Sequence, residues 1–388
     1  MLIYRLFQSH DRGAVLQKKS FLQLLPIVLV LQVQAQKDPC WPVFRGDQAL
    51  TGNSSSVLPE SPGLLWSFET SDEIKSSPVC CDNRIVTASA DGTVYCLDIK
   101  GDLMWSFETG NMIEAPGLIL DGKVFIGNLN GILYSLDLQT GKEIWSYKTD
   151  NQISGSPNWW KTKNGTSILV GSYDFNLHCV DAQTGRNLWK YESDNFINGS
   201  AACMDGTAVF GGCDGYLHIV SISDGSLKNK IEVGTYVAGS AALHENYAYI
   251  GDYDGGFTCI DLDAGKVRWR WEDANTQLPF LASPALYKNM VITANQDKYV
   301  YCFDRSSGEM LWKFNTGARV DASPIIAGDK IIVANMRGDL IILEAGNGKT
   351  IWTYELGSPV VGNPAVTPGR FYVGAGDGYI YCFGYPHQ

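Results

Sequence analysis

A nine-residue pattern recurs along this chain. Residues 137–145 read DLQTGKEIW, 181–189 DAQTGRNLW, 261–269 DLDAGKVRW and 304–312 DRSSGEMLW. Residues 344–352 (EAGNGKTIW) keep the spacing with Glu for Asp, and 98–105 (DIKGDLMW) are one residue shorter. The tryptophans fall at Trp66, Trp105, Trp145, Trp189, Trp269, Trp312 and Trp352, a period near 40 with one double step. That step hides a copy at 221–229, in which Asn229 takes the tryptophan position. Eight copies at this period, rich in strand-forming residues, specify an all-β ring in which each repeat is one sheet.

One repeat shows how each sheet is built. Residues 115–120 and 123–127 are apolar runs joined by Asp121-Gly122, and Asn130-Gly131 leads into a third run at 132–137. A Thr-Gly turn then opens a fourth run, 142–148. Asn-Gly and Asp-Gly supply the positive φ angles that two-residue hairpins need. Each repeat is therefore a four-stranded antiparallel blade, A to D from the axis outward. The chain starts with an unpaired outer strand at 64–69 and ends with three strands, 360–364, 370–374 and 379–383. Pairing the first with the last seals the ring and removes the open edge. The prediction is an eight-bladed β-propeller of four-stranded antiparallel blades, closed by an N-terminal outer strand. The seven tryptophans are expected to be structural, each indole lying over the next blade. The seam that has Asn229 in their place is expected to be the weakest.

Outside the repeats, residues 1–35 have the form of a signal peptide, with Lys18-Lys19 ahead of an apolar run at 21–33 and small residues before a cut after Ala35. The stretch before Lys18 is a long n-region, so synthesis could start later than Met1. Residues 36–63 form an N-terminal extension, and 64–388 the propeller. No cysteine stands where a lipid anchor needs one, which points to an exported protein, periplasmic or secreted, with no transmembrane segment. The formal net charge is −11 and no run of Lys or Arg follows residue 19, so nucleic acid is excluded as a partner. Cys96, Cys179, Cys259, Cys302 and Cys382 fall in one slot of strand C. Neighbouring sheets lie ~10 Å apart, beyond the ~4.4–6.8 Å a disulfide spans between Cα atoms, so these five read as small apolar fillers. Cys80-Cys81 is left open, as a disulfide or two thiols.

The repeats DAQTGRNLW and DLQTGKEIW resemble the tryptophan-docking motif of the pyrroloquinoline quinone (PQQ) propellers. Trp41-Pro-Val-Phe-Arg-Gly46 resembles the WPxFRG opening of exported members of that superfamily. The scaffold serves quinoprotein alcohol dehydrogenases and also a non-enzymatic lipoprotein of the outer-membrane β-barrel assembly machinery. The dehydrogenases carry a vicinal Cys-Cys on the cofactor, a Glu/Asn calcium site, a catalytic Asp and a Trp floor. Cys80-Cys81-Asp82-Asn83-Arg84 matches the CC-x-x-VNRG signature only in part, and no calcium ligand pair or base stands out. Nor does a Ser-His-Asp or two-His metal spacing emerge, although His178 and His218 sit at equivalent positions of adjacent blades.

The D–A loops and B–C turns of one face surround the axis, and function is expected there. Six of the eight B–C turns carry Asp, either as turn chemistry or as an acidic rim. Candidate binding residues are Lys75, Asp174, Asp214, Asp254, Phe280, Asp297, Arg319 and Arg337. The resemblance implies a non-catalytic binding or scaffolding module of the cell envelope, with envelope proteins or peptides as partners and no cofactor. The alternative is a PQQ-dependent or PQQ-binding dehydrogenase-like enzyme.

Overall fold

The computed structural model describes residues 40–386; the segment read as a signal peptide lies outside them. Eight antiparallel sheets follow one another along the chain. The first consists of Val79–Cys81, Arg84–Ala88, Thr93–Asp98 and Leu103–Glu108, and the pattern repeats through Thr350–Glu355. The eighth has Ala365–Thr367, Arg370–Gly374 and Tyr379–Gly384, and its outer strand comes from the start of the chain. That strand, Gly63–Glu69, pairs antiparallel with Tyr379–Gly384, so the ring is closed as the repeat count predicts. Among the described residues no helix is long and apolar enough to cross a membrane.

The innermost strands are shorter than the apolar runs suggest. Strand A of the second blade is Leu118–Leu120 rather than 115–120, and that of the eighth is Ala365–Thr367 rather than 360–364. The residues before them lie at the axis instead, and prolines there, such as Pro116 and Pro364, offer no N–H to a ladder.

Between blades, each indole lies against the glycine of the next blade's C–D turn. Trp66, Trp105, Trp145, Trp189, Trp269 and Trp312 face Gly101, Gly141, Gly185, Gly225, Gly308 and Gly348, where a Cβ would sit 2.6–2.7 Å from the ring. Those glycines also hold positive φ, from 69° to 89°, so the turn and the close approach demand the same residue. Five of the six indole N–H groups donate to a carbonyl of the same turn region, as Trp105 does to Leu138 at 2.9 Å. Trp352 instead packs edge-on to Phe371 and Phe383. At the fourth seam the Asn229 amide faces Gly265, beside a cavity of about 400 Å³ lined also by Met204, Ile219 and Leu262.

The extension is a central strap. Trp41 exchanges backbone hydrogen bonds with Cys80 in blade 1, and the Pro42 carbonyl accepts from Ile119 in blade 2. The carbonyls of Gln48, Ala49, Thr51, Gly52 and Val57 accept from Cys203, Leu243, Leu286, Ile326 and Gly369, in blades 4 to 8. Blade 3 joins through its Asn158 side chain, which donates to Gln48. Near its end the strap forms β1 (Asn53–Ser54), a fifth strand on blade 7. The inner strands thus find acceptors for N–H groups that would otherwise point into the axis. Trp41, Val43, Arg45, Leu50 and Leu58 are buried in the process.

Cys81 is joined to Cys40 at a Cα–Cα distance of 4.7 Å. Cys80 is a free, buried thiol, so the vicinal pair left open by the sequence is two cysteines with separate fates. The five strand-C cysteines are free and buried.

Replacing Asn229 by Trp should fill the fourth seam with an indole, as in the other seams, and raise the unfolding free energy by roughly 1.5–3 kcal/mol, the usual range for burying a large apolar side chain. A thermal melt of Asn229→Trp that is unchanged or lower would show that this seam is already packed.

Candidate functional site

The D–A segments bring one small residue per blade to the axis: Ser77, Pro116, Ser156, Ser200, Ser240, Ser283, Ser323 and Asn363. The Ser156 N–H donates to Ser200 Oγ at 2.8 Å, Ser200 to Ser240 at 2.8 Å, Ser240 to Ser283 at 2.9 Å and Ser283 to Ser323 at 2.9 Å. Ser323 then donates to Asn363 Oδ1, and Asn363 to Ser77 Oγ at 2.8 Å. Pro116 has neither hydroxyl nor N–H and interrupts the circle. Hydroxyl and amide acceptors thus stitch successive blades together at the axis. A Ser or Asn ahead of the inner strand in seven of the eight repeats was the available signal, hidden because Ser is common in turns.

Above this circle lies a polar cup of about 160 Å³, with Phe44 of the strap among its lining residues. At its edge Lys75 pairs with Glu73 at 2.8 Å and Glu114 at 3.3 Å, while Arg319 pairs with Asp321 at 3.0 Å. Lys75 is pushed up by its hydrogen bond to Glu73, against burial, and so stays charged. The cup is smaller than the ~300–1,000 Å³ that hold drug-sized ligands. Cys81 lies away from it, bonded to Cys40.

The aspartates of the B–C turns are largely taken up by their own blades. Tyr95 donates to Asp91 at 2.7 Å, Tyr381 to Asp377 at 2.6 Å, and Tyr301 to Asp297. In blades 3 and 4 a histidine takes the tyrosine's place. His178 Nε2 lies 3.0 Å from Asp174 Oδ2 and Nδ1 lies 2.9 Å from the Tyr147 hydroxyl. His218 repeats this with Asp214 at 2.9 Å and Tyr191 at 2.9 Å. A carboxylate only accepts, so Nε2–H is the donor to the aspartate and Nδ1 accepts a hydrogen bond from the tyrosine O–H. Burial pushes the Asp174 carboxyl up, but the His178 and Asp150 bonds outweigh it and hold it well below the usual range. Both imidazoles are fully buried. Asp254 is exposed. Arg337 pairs with Asp339 at 2.5 Å. Phe280 is buried against Phe257, Trp271 and Tyr301, and is not presented to solvent.

The face presents aromatic rings that the charge pattern hides. Tyr173 stacks on Phe196 at 4.8 Å and Phe175 lies 5.2 Å from Phe196. Tyr236 meets Tyr253 at 6.3 Å on the following blades. Phe175, Phe196, Tyr236 and Tyr253 are 37%, 36%, 55% and 49% exposed, against a fold that buries most of its rings. Leu278 adds a further exposed apolar group, and Asp150, Glu192 and Asp254 stand exposed on the same face. Phe175 has φ 72°, at the turn position where Gly92, Gly131, Gly215, Gly255, Gly338 and Gly378 stand in six other blades. A bulky residue held there is strained by ~1–2 kcal/mol. Strain of this kind collects at functional positions. The absence of Gly after Asp174 was the sequence signal for it.

Comparison with known proteins gives a consistent picture of the fold. The family described as outer membrane protein assembly factor BamB (PQQ_2) matches residues 52–226, 173–298 and 296–383. None of the curated protein sequences matches the chain. Among solved structures, BamB from Moraxella catarrhalis is similar at a TM-score of 0.71 and 21% identity, over 84% of this chain and 98% of that one. The computationally designed protein Ika8 is similar at 0.73 and 18%, over 83% and 99%. The quinohemoprotein alcohol dehydrogenase of Comamonas testosteroni is similar at 0.75 and 15%, over 92% and 82%. At these identities the likeness is one of fold.

Burial pushes the His218 imidazole down, against the raising pull of Asp214. The folded state then releases this proton before the unfolded state, whose His titrates near ~6.5. Its contribution to stability is complete above that pH and is lost as pH falls below it. Urea midpoints should drop between about pH 7 and pH 5, and less steeply in His218→Gln. Parallel profiles for the two proteins would remove His218 as the source.

Proposed function

The chain belongs to the PQQ-repeat family described as outer membrane protein assembly factor BamB, and on that premise we propose that it is a non-catalytic docking protein of the cell envelope. It works after export, in the periplasm or outside the cell. Its partner is a protein segment with apolar side chains and Lys or Arg, held by the face formed by the D–A loops and B–C turns. The observation that carries this reading is Phe175, an exposed ring kept in a backbone conformation suited to glycine, beside Tyr173 and Phe196. A glycine there would spare the backbone strain, and a part-exposed ring in its place suits a binding face. The carboxylates around the rings and the net charge of −11 favour a basic partner.

The reading assigns no cofactor. In its support, the cup is small for a quinone, Cys81 is bonded to Cys40 rather than to Cys80, and the His–Asp pairs are buried within their blades. Adding PQQ with calcium should give no absorbance band that follows the protein through gel filtration; a retained band would make the dehydrogenase-like alternative the better one.

Phe175→Gly separates binding from folding. Relief of ~1–2 kcal/mol of backbone strain offsets the removal of ring packing against Phe196, so the melting temperature should not fall. Capture of envelope proteins, identified by mass spectrometry, should lose one specific partner in Phe175→Gly and in Phe196→Ser. Capture unaltered by both substitutions would refute the docking face.

A further inference from the structure

The turn Cys81-Asp82-Asn83-Arg84 lies on the opposite face from the aromatic rim and has no part in the docking role. It walls a cavity of about 270 Å³ between the first and last blades. The Cys40–Cys81 disulfide, Arg84, Ile99, Arg370 and Tyr372 line it, and Asp82 is the carboxylate among the lining residues. Neither guanidinium makes an ion pair among the described residues. Arg84 donates to Gln139 Oε1 at 3.1 Å and weakly to the Asn83 carbonyl, and Arg370 donates to the Ile99 carbonyl. In a chain of net charge −11, two arginines beside one cavity without carboxylate partners are unusual. Both disulfide-bonded cysteines are only half-buried, whereas the remaining thiol in the wall, Cys80, is fully enclosed and pushed well up by that burial.

We propose that this cavity is a thiol–disulfide exchange site for small thiols that carry a carboxylate. The carboxylate binds Arg84 and Arg370, which places the sulfur against the disulfide. The incoming thiolate attacks Cys40 Sγ and forms a mixed disulfide. The Cys40–Cys81 bond breaks, and Cys81 leaves with the electron pair as a thiolate, opposite Arg84 in the Cys81–Arg84 hairpin pair. A second thiol molecule attacks the mixed disulfide and leaves as the oxidised small disulfide, with the protein's two sulfurs now thiols. Two electrons pass from two small thiols to one disulfide. Exchange removes the covalent tie between the strap and blade 1, leaving there the backbone pair of Trp41 and Cys80. The reverse sequence restores it.

The test measures second-order rate constants for opening the disulfide in the folded, full-length protein, using 3-mercaptopropionate and the cationic thiol cysteamine. Each is corrected for its reaction with a small neutral disulfide, and mixed disulfides are identified by mass. The corrected ratio of anionic to cationic thiol should exceed unity by roughly 3- to 10-fold at low ionic strength. It should collapse in about 1 M salt, where the Debye length is ~3 Å. Arg84→Gln with Arg370→Gln should bring it close to unity with the fold unchanged by circular dichroism. A ratio near unity in the unaltered protein, the same ratio in the double variant, or reduction only on unfolding would each overturn the proposal.

Discussion

Every seam but one in this ring is closed by a flat aromatic group, in six cases over a turn that has no side chain. The indole needs a neighbour without a Cβ, and the turn needs a residue at ease with positive φ; glycine meets both demands. Because the same contact recurs from Trp66 to Trp312, blade spacing is set by one repeated object rather than by eight separate cores. At the last of these positions Trp352 meets Phe371 and Phe383, because the outer strand that follows belongs to the beginning of the chain.

Radial sheets leave the inner edge of each blade facing the axis. Here the strap's carbonyls accept from strand A, or from the turn after it, in seven blades and Asn158 supplies the eighth contact, while serine hydroxyls link neighbouring segments above it. Burial pushes the Arg45 guanidinium down to about 9 within this packing, where its Nη2 donates to the Pro284 carbonyl at 2.8 Å. Much of the polar chemistry near the axis is thereby committed to architecture. The same holds for most turn carboxylates, which serve tyrosines and histidines of their own blades. In the docking role proposed above, recognition falls to the rings around Phe175.

The blade count, the strand order and the closure by an early strand were legible because they follow from a period, and a period survives substitution. The Asn229 exception was legible for the same reason. The strap was not, since 41–58 have no internal repeat and find their partners across the whole ring. The Cys40–Cys81 bond lies on that route, where Trp41 runs alongside Cys80. Charge drew attention to Asp174, whereas the exposure and φ of its neighbour Phe175 are visible only in three dimensions. Phe280 misled in the opposite sense: a loop residue by sequence, it turns inward and fills a gap between blades.

Among the described residues, the strap and the closing strand are made first and are the last to be satisfied. Gly63–Glu69 waits for Tyr379–Gly384, and the strap waits for inner edges from every blade. Contacts so distant in sequence form slowly and leave strand edges open meanwhile. A chain wired this way cannot close its ring before the final blade has been made, and its earliest edges stay unpaired until then.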